Sequence, residues 1–467
     1  MEKVIMQNTS SQNIPSIIEA QREFFGSGAT IDIKFRKEML RRLLSALGRW
    51  EERLAAALWN DLHKSYEEAF LTEFSILYGE LESHIKNVGK WARTQKAPTP
   101  LHVLPSRSRI VKEPLGCALI IAPWNYPVQL LLNPLIGAIS AGCTALLKPS
   151  PYVPQVSDAL QKMISETFPQ EYIAIVQGHR DVNEMLLEQR WDIIFFTGSP
   201  ELGRTVMAAA AKHLTPVVLE LGGKSPCIID RTADIKVAAK RVAWGKTLNS
   251  GQTCIAPDYI LIHKEIKDAF IKEFAAAVKQ LHGESFHHYV HMVNAKAFER
   301  VTGYLNDGKI AYGGRSNPET RWIEPTLLED VSPDAPVMQE EIFGPVFPMI
   351  VIEESPTTTF TQQATGFLKG KEKPLALYWF GDEKRGWEVI RNTSSGGACI
   401  NDVIMHIAND NMPFGGVGNS GMGRYHNKES FECFSHTRSV LVTPTWIDLP
   451  FRYMPYRFFK IIKRLLK

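Results

Sequence analysis

Short apolar segments alternate with amphipathic, helix-like segments along most of this 467-residue chain. A first series contains "CTALLKPS", "YIAIVQG" and "DIIFFTGS", each a few apolar residues followed by turn-forming residues. A second series contains "PVVLELGGKSPCIID", "LALYWFG" and "GGACIND". Strands separated by helices need crossover connections, which build a parallel sheet with helices on both faces. The alternation therefore predicts an α/β protein with two doubly wound domains.

Two segments depart from this alternation. Residues 15–93 carry apolar positions three and four residues apart with charges between them, which predicts a layer of amphipathic helices. The next segment, "KAPTPLHVLPSRSRIVKEPLG", contains prolines that exclude a helix, and its residues 108–112 suit an extended ribbon. We expect an exposed arm there.

Composition narrows the possible partners and the compartment. A net charge of +3 is too small for a protein whose whole surface binds nucleic acid. The six cysteines form no C-x-x-C pair, which indicates free thiols in a reducing compartment. The N-terminal residues lack the apolar core of a secretory signal, so we expect a cytoplasmic protein. The apolar region 116–147 contains prolines and asparagines that favour a buried strand and helix over a membrane span.

Three glycine-containing motifs stand at or near the ends of predicted strands. In "TGSPELG", the amides of a helix N-terminus could bind a phosphate, or the glycines could serve only close packing. In "LELGGKSP", Glu220 is either a solvated loop charge or a general base. In "NSGQTCIAPD", Cys254 is either a small buried hydrophobe or a nucleophile.

Taken together, these motifs suit the addition of a thiol to a carbonyl carbon. The oxyanion that forms needs hydrogen-bond donors, and a later step needs a base to activate water. Asn125 of "APWNYP" could donate together with the backbone N–H of Cys254, although an asparagine between prolines is commonly a turn residue. Glu220 could supply the base.

Seven segments resemble, in order and approximate spacing, the NAD(P)-dependent aldehyde dehydrogenases, particularly the class 3 and fatty-aldehyde branch. They are "APWNYP", "LLKPS", "FFTGS", "LELGGKSP", "GQTCIAPD", "EEIFGPV" and "PFGGVGNSGMGRYHNKESF". The resemblance extends from about residue 15 to about residue 445, and "LELGGKSP", "GQTC" and "EEIFGP" are highly specific motifs.

The resemblance implies a fold and an activity. Two Rossmann-like domains and a small β oligomerisation arm would together oxidise an aldehyde, medium- or long-chain aliphatic or aromatic, to a carboxylic acid. Residues 1–92 and 114–219 would bind NAD or NADP, and residues 220–407 would carry the nucleophile. Residues 93–113 and 408–447 would form the arm of a homodimer, and residues 448–467 a basic amphipathic tail.

The resemblance also implies roles for individual residues. Cys254 would add to the aldehyde to give a thiohemiacetal and then a thioester, Asn125 would bind the oxyanion, and Glu220 would activate water. Tyr126 would contact the substrate, and no metal site is expected. The residues implied to bind the cofactor are Lys148, Thr197, Gly198, Ser199, Gly203, Leu221, Glu341 and Phe343.

Two segments depart from the family's pattern. Pro151 stands where NAD-specific members usually have a glutamate that binds the ribose 2′-hydroxyl, so NADP should meet no repulsion. The segment "HGESFHHYVHMVN" contains four histidines. It could be a metal site, but without cysteine or carboxylate at ligand spacing a surface loop is favoured.

Two alternative functions stay open from the residues alone. A CoA-acylating or acyl-reducing relative would pass the acyl group to a thiol, which would make a base such as Glu220 superfluous. A catalytically silent member would keep only the fold, but Cys254, Glu220 and Asn125 are all retained.

The C-terminal tail "FRYMPYRFFKIIKRLLK" contains six basic residues and no acidic one. A helix after Pro455 would place Phe458, Ile461, Ile462, Leu465 and Leu466 on one face. We expect peripheral contact with the inner, anionic face of a membrane, with packing on a dimer partner as the alternative.

Overall fold

A computed structural model of the protein describes residues 8–10, 12–448, 450–456 and 458–465. Its helices, in chain order, are α1 Asn13–Gly26, α2 Ile33–Leu62, α3 Tyr66–Ala69, α4 Ser75–Trp91, α5 Gln129–Ala141, α6 Pro154–Thr167, α7 Arg180–Glu188, α8 Pro200–Ala211, α9 Ile235–Thr247, α10 Lys267–His282, α11 Ala295–Gly303, α12 Phe360–Leu368, α13 Glu383–Arg391, α14 Lys428–Cys433 and α15 Phe459–Leu465. The strands, in the same order, are β1 Gln95–Ala97, β2 Arg107–Pro114, β3 Cys117–Ile121, β4 Thr144–Lys148, β5 Ile173–Ile175, β6 Ile193–Gly198, β7 Val217–Leu221, β8 Pro226–Ile229, β9 Tyr259–His263, β10 Lys309–Tyr312, β11 Ser316–Asn317, β12 Trp322–Ile323, β13 Thr326–Glu329, β14 Val346–Ile352, β15 Ala376–Phe380, β16 Gly397–Ile400, β17 Gly421–Met422 and β18 Ser435–Val442.

The first large sheet has the strand order β17-β7-β6-β3-β4-β5. Strands β3 to β7 run parallel, and β17 pairs antiparallel with β7 at the edge. Every residue of β3 and β4 is buried, as expected for strands covered by helices on both faces. The winding direction reverses between β3 and β6. In doubly wound sheets a ligand binds at the carboxyl ends of the strands beside such a reversal.

The second large sheet has the order β10-β13-β14-β9-β8-β15-β16 and is parallel except for β10. The predicted fold class, two doubly wound sheets with a small β arm, is therefore confirmed. The predicted boundary between residues 219 and 220 differs from the structure, because it falls inside β7. All of β7 belongs to the first sheet, and residues 222–225 connect it to β8 of the second sheet.

The arm is a three-stranded antiparallel sheet in the order β1-β2-β18. Strand β2 pairs with β18 along its whole length within one chain. The prediction that residues 106–113 and the segment after Asn409 pair with each other across a symmetry axis is therefore wrong. Only part of residues 408–447 belongs to the arm, because β17 extends the first sheet and α14 packs against α5.

The predicted helical layer consists of α1, α2 and α4, which pack on the first sheet and its helices. The apolar region 116–147 forms β3, α5 and β4, as predicted. Within the described ranges, no helix is both long and apolar enough to cross a bilayer.

The tail contains the predicted helix as α15, in which Lys460, Ile461, Lys463 and Arg464 are exposed. Leu466 and Lys467 lie outside the described residues, as do the side chains of Ile462 and Leu465.

Candidate active site

The turn that carries Cys254 begins directly after α9. Asn249, Ser250 and Gly251 have φ angles of 51°, 55° and 70°, a left-handed conformation that is costly for the first two. A Cβ at Gly251 would overlap the backbone carbonyl of Gly344, so only glycine fits there. Such a conformation persists only where the surroundings hold it, and buried hydrogen bonds do so here.

Gln252 supplies most of these hydrogen bonds. Its Nε2 donates to the carbonyl oxygens of Asn249 and His291 at 3.1 Å each, and its Oε1 accepts from the Val293 N–H at 3.1 Å. The fully buried amide thus uses its donors and its acceptor to tie the turn to residues 291–293. The position of Cys254 is therefore fixed before any substrate binds.

Cys254 is half-buried at the end of this turn. Burial raises the pKa of its thiol, and the charges of Glu341 and Glu220 raise it further. The backbone N–H groups of Cys254 and Ile255 lower this pKa without reversing the shift. The thiol is therefore protonated before the reaction and needs a base to become a nucleophile.

Glu220 lies on β7 opposite Thr197 of β6 in the register of the first sheet. Its side chain is buried, and neither carboxylate oxygen has a hydrogen-bond partner among the described residues. Burial raises the pKa of Glu220 well above its usual range. An unpartnered, neutral carboxyl of this kind becomes a strong base once it is ionised.

Asn125 and Tyr126 lie in the loop between β3 and α5. Asn125 Nδ2 donates to the Gln252 carbonyl oxygen at 3.0 Å, which leaves its second N–H available to a ligand. The hydroxyls of Tyr126 and Thr253 hydrogen-bond to each other at 2.6 Å, directly before Cys254. The structure thus brings both predicted residues to the cysteine turn.

A cavity of about 1320 Å³ lies past the carboxyl end of β7, and Cys254, Glu220 and Asn125 are not among the residues that line it. Among its lining residues are Ser199 at the N-terminus of α8, Gly223 after β7, and Glu341. Ser199 caps α8, because its Oγ accepts the Leu202 N–H at 3.3 Å. A helix N-terminus in a large cavity suits the pyrophosphate of a dinucleotide.

Glu341 lines this cavity and lies close enough to Cys254 for its charge to act on the thiol, whereas Phe343 is not among the lining residues. Burial, together with the charge of Asp258, raises the pKa of Glu341 to about 8. A Cβ at Gly222 would overlap the Glu341 carboxylate, so this glycine lets the carboxylate approach the β7 end. Phe343 packs edge-on against Trp124 with ring centroids 5.4 Å apart.

The remaining predicted residues lie at the carboxyl ends of the first sheet. Lys148 ends β4, is 1% exposed, donates to the Pro149 carbonyl oxygen at 2.9 Å, and has a pKa lowered to about 8 by burial. It does not line the large cavity.

Gly203 and Leu221 serve close packing, since a Cβ at position 203 would lie 2.8 Å from Leu221 Cδ2. The same holds for Gly198, where a Cβ would lie 2.6 Å from the Phe196 ring.

Sequence reasoning missed three charged residues beside the cysteine turn, namely Lys64, Glu68 and Glu73. The segment "HKSYEEAFLTEF" that contains them has the charge pattern of a solvated helix face. Two of the three are nevertheless completely buried, Lys64 and Glu73. Only their clustering around a helix start could have drawn attention to them.

The histidine-rich segment lies near the same turn but lacks a ligand set. Among the described residues there is no group of three or more His, Cys, Asp or Glu side chains that could hold a metal ion. His291 stacks on His63 with ring centroids 4.1 Å apart, and burial lowers the pKa of His291 to about 4.

Two doubly wound sheets, a cavity at a helix N-terminus and a cysteine next to a buried carboxyl are the parts of a dinucleotide-dependent oxidoreductase. The sequence matches the model of the aldehyde dehydrogenase family over residues 3–440, and the chain belongs to that family. It is an NAD(P)-dependent enzyme that oxidises an aldehyde to a carboxylic acid.

Several relatives match over nearly the whole chain. The 4,4'-diaponeurosporen-aldehyde dehydrogenase of Staphylococcus aureus is 43% identical over 453 residues, which cover 96% of this chain and 97% of that protein. The dimeric NADP-preferring aldehyde dehydrogenase of Canis lupus familiaris is 41% identical over 448 residues. This match covers 95% of this chain and 98% of that protein. The structure of the substrate-bound state of Staphylococcus aureus AldH has a TM-score of 0.94 and 42% identity, and the match covers 97% of this chain and 99% of that one.

Proposed function

We propose that Cys254, Asn125 and Glu220 carry out the oxidation, and that the substrate is a medium- or long-chain aliphatic or an aromatic aldehyde. The main support is the hydrogen bond from Asn125 to the cysteine turn at Gln252, together with a Glu220 close enough for its charge to raise the pKa of Cys254. An apolar substrate agrees with the half-buried Trp244 and Leu248 that precede the turn. The relative that acts on 4,4'-diaponeurosporen-aldehyde also has an apolar substrate by its name.

The first chemical step forms a bond between Cys254 Sγ and the aldehyde carbon. The thiol proton passes to solvent water at the half-buried Cys254 as this bond forms, and Glu220 takes no part in this step. The oxyanion of the thiohemiacetal receives hydrogen bonds from the Cys254 N–H and from the second N–H of Asn125. These donors stabilise charge that develops only during the reaction.

Bound NAD or NADP supplies the acceptor for the hydride that leaves the thiohemiacetal carbon. We expect Ser199 at the start of α8 and Glu341 to hold this cofactor, because both line the large cavity. Gly222 permits the close approach of the Glu341 carboxylate to the end of β7. The role implied for Lys148 at the adenosine ribose gains no support from this cavity, because its side chain is 1% exposed and does not line it.

Loss of the hydride leaves a thioester on Cys254, which water must then hydrolyse. Glu220, once it has lost its own proton to solvent, takes a proton from the water, and the hydroxide adds to the acyl carbon. The C–S bond then breaks, and the leaving thiolate takes this proton back from Glu220 to give the acid and the thiol. A buried carboxylate without a hydrogen-bond partner suits this role, because nothing stabilises its charge. The same observation favours hydrolysis over transfer of the acyl group to CoA.

The experiment that tests this function is a panel of aliphatic and aromatic aldehydes assayed with NAD and with NADP. Turnover should be highest with the apolar aldehydes. NADP should be accepted within about tenfold of NAD, because Pro151 carries no charge, and Pro151→Glu should favour NAD. The control is Cys254→Ala, which should bind cofactor without turnover; turnover by this variant would exclude Cys254 as the nucleophile.

We also propose a homodimer formed by the arm. Strand β18 is at the edge of the arm sheet, and β16 is at the edge of the second large sheet. An edge strand gains by pairing with another chain, so β18 of one chain could extend the sheet at β16 of its partner. A monomer in light scattering would contradict this proposal.

We propose, finally, that the tail contacts an anionic membrane surface. Phe458, Phe459 and Ile461 are 64%, 60% and 59% exposed, so they do not pack on their own chain. Lys460 lies between Phe459 and Ile461, and Lys463 and Arg464 follow. An interfacial helix would bury such apolar groups while each cation gains about 1 kcal/mol.

A further inference from the structure

A completely buried ion pair lies beneath the loop that carries Asn125. Lys64 Nζ and Glu73 Oε1 are 2.7 Å apart, and both side chains are 0% exposed. Lys64 follows the end of α2, and Glu73 lies in the short π-helical segment Phe70–Phe74 between α3 and α4. A buried pair of this kind is seldom more stable than a well-packed apolar pair, because both ions lose their hydration. A gain in stability therefore does not explain why this ion pair is buried here.

Both partners of the pair contact the Asn125 loop directly. Lys64 Nζ donates to the Asn125 carbonyl oxygen at 3.0 Å and lies 4.2 Å from the centre of the Tyr126 ring. Glu73 Oε2 accepts the N–H groups of Val128 and Gln129, at 2.8 and 3.1 Å. The ion pair thus holds the loop at Asn125 and again at the start of α5.

The same region of the chain also contacts the cysteine turn. Glu68 accepts the Asn249 N–H at 2.7 Å, and Asn249 Nδ2 donates to the Asn125 carbonyl oxygen at 3.0 Å. The Asn125 carbonyl oxygen therefore accepts hydrogen bonds from Lys64 and Asn249, while the Asn125 side chain donates to the Gln252 carbonyl oxygen. Together these contacts fix the Asn125 amide relative to the N–H of Cys254.

We propose that Lys64 and Glu73 are positioning residues for aldehyde oxidation, whose ion pair sets the Asn125 amide at the distance from Cys254 that the oxyanion requires. This inference rests on the proposed role of Asn125. Neither residue touches the reacting atoms, and each acts through the backbone of the loop. A small displacement of an oxyanion donor slows the chemical step strongly, because the donor must meet the charge as it forms.

The test is the single-turnover formation of reduced cofactor by Lys64→Met. We expect the rate constant per active site to fall by roughly 10- to 100-fold, with the cofactor Kd unchanged. A purely structural role would instead lower the amplitude, which counts correctly folded sites, and leave the rate constant intact. That second outcome would overturn the inference.

A double variant separates positioning from the cost of an unpaired charge. Lys64→Met alone leaves Glu73 buried without its cation, whereas Lys64→Met with Glu73→Gln removes both charges. We expect the double variant to recover Tm and amplitude but not the rate constant. Recovery of the rate constant would overturn the inference. If Lys64→Met yields no folded protein, the rate constant of the double variant is compared directly with that of the unaltered enzyme.

Two controls complete the design. Arg385→Met breaks the ion pair with the buried Asp230, at the opposite end of β8 from the cavity, and should leave the rate constant unchanged.

Asn125→Ala should slow the chemical step at least as much as Lys64→Met. If Asn125→Ala has no effect, the proposed function of Asn125 fails. If Asn125→Ala slows the reaction and Lys64→Met does not, only the positioning inference fails.

Discussion

Burial raises the pKa values of both Cys254 and Glu220, which favours a thiol and a carboxylic acid over their ions before substrate binds. Each ionised group would also raise the pKa of the other by charge repulsion. The proposed mechanism therefore needs one proton to leave before the thiolate forms. This proton transfer should make the early steps depend on pH.

At the residue scale, Glu220→Gln should separate the two halves of the reaction. Cys254 can still form the thioester, so reduced cofactor should appear as one rapid equivalent per site. Hydrolysis should then stall, because glutamine cannot accept a proton from water. Rapid-mixing measurements of the reduced cofactor test this prediction. Loss of the burst would show that Glu220 is needed for thiol addition.

Glu341 should make the stability of the free protein fall with pH. Its pKa of about 8 in the folded protein exceeds its ordinary value of 4.5. The folded state therefore binds the proton more tightly, and this stabilisation is complete below the ordinary value and lost as pH rises through about 8. We expect Glu341→Gln to flatten the decrease in Tm between about pH 5 and about pH 9. Equal slopes for the two proteins, without cofactor, would contradict the prediction.

At the scale of elements, the turn after α9 depends on Gly251. Alanine at this position would need a positive φ of 70° and would overlap the Gly344 carbonyl. We expect Gly251→Ala to lower the free energy of unfolding by about 2 kcal/mol and to abolish most turnover. The matched control is Gly303→Ala at the end of α11, where a Cβ meets no atom within 4 Å. Similar denaturant midpoints for the two variants would argue against strain at Gly251.

At the scale of the whole molecule, the tail should determine binding to lipid. The chain that ends at Pro450 lacks the exposed Phe458, Phe459 and Ile461 and all six basic residues of the tail. We expect the full chain to sediment with anionic liposomes at low salt and much less at high salt, and the truncated chain to stay in solution.

Neutral liposomes are the control for this measurement, because they lack the charge that attracts the lysines. Equal sedimentation of the two chains would exclude the membrane contact. If truncation instead converts a dimer to a monomer in light scattering, the tail packs on the partner chain.

Local sequence patterns were sufficient to predict most strands and helices and the residue types of the proposed site. Strands such as β3 and β4 are continuous apolar runs between turn residues, and a local pattern of this kind is sufficient to predict them. Cys254, Glu220 and Asn125 stand in short motifs whose residue types suit one reaction. Neither inference needed any contact between distant parts of the chain.

Which groups meet, and how burial shifts their pKa values, depends on how distant segments pack. The pairing of β2 with β18 within one chain joins residues more than 300 positions apart, and local periodicity carries no information about such pairs. Lys64 and Glu73 have the sequence pattern of exposed charges, yet the fold buries them beneath Asn125. The raised pKa values of Cys254 and Glu220 likewise follow from burial, which arises only when both sheets and their helices pack together.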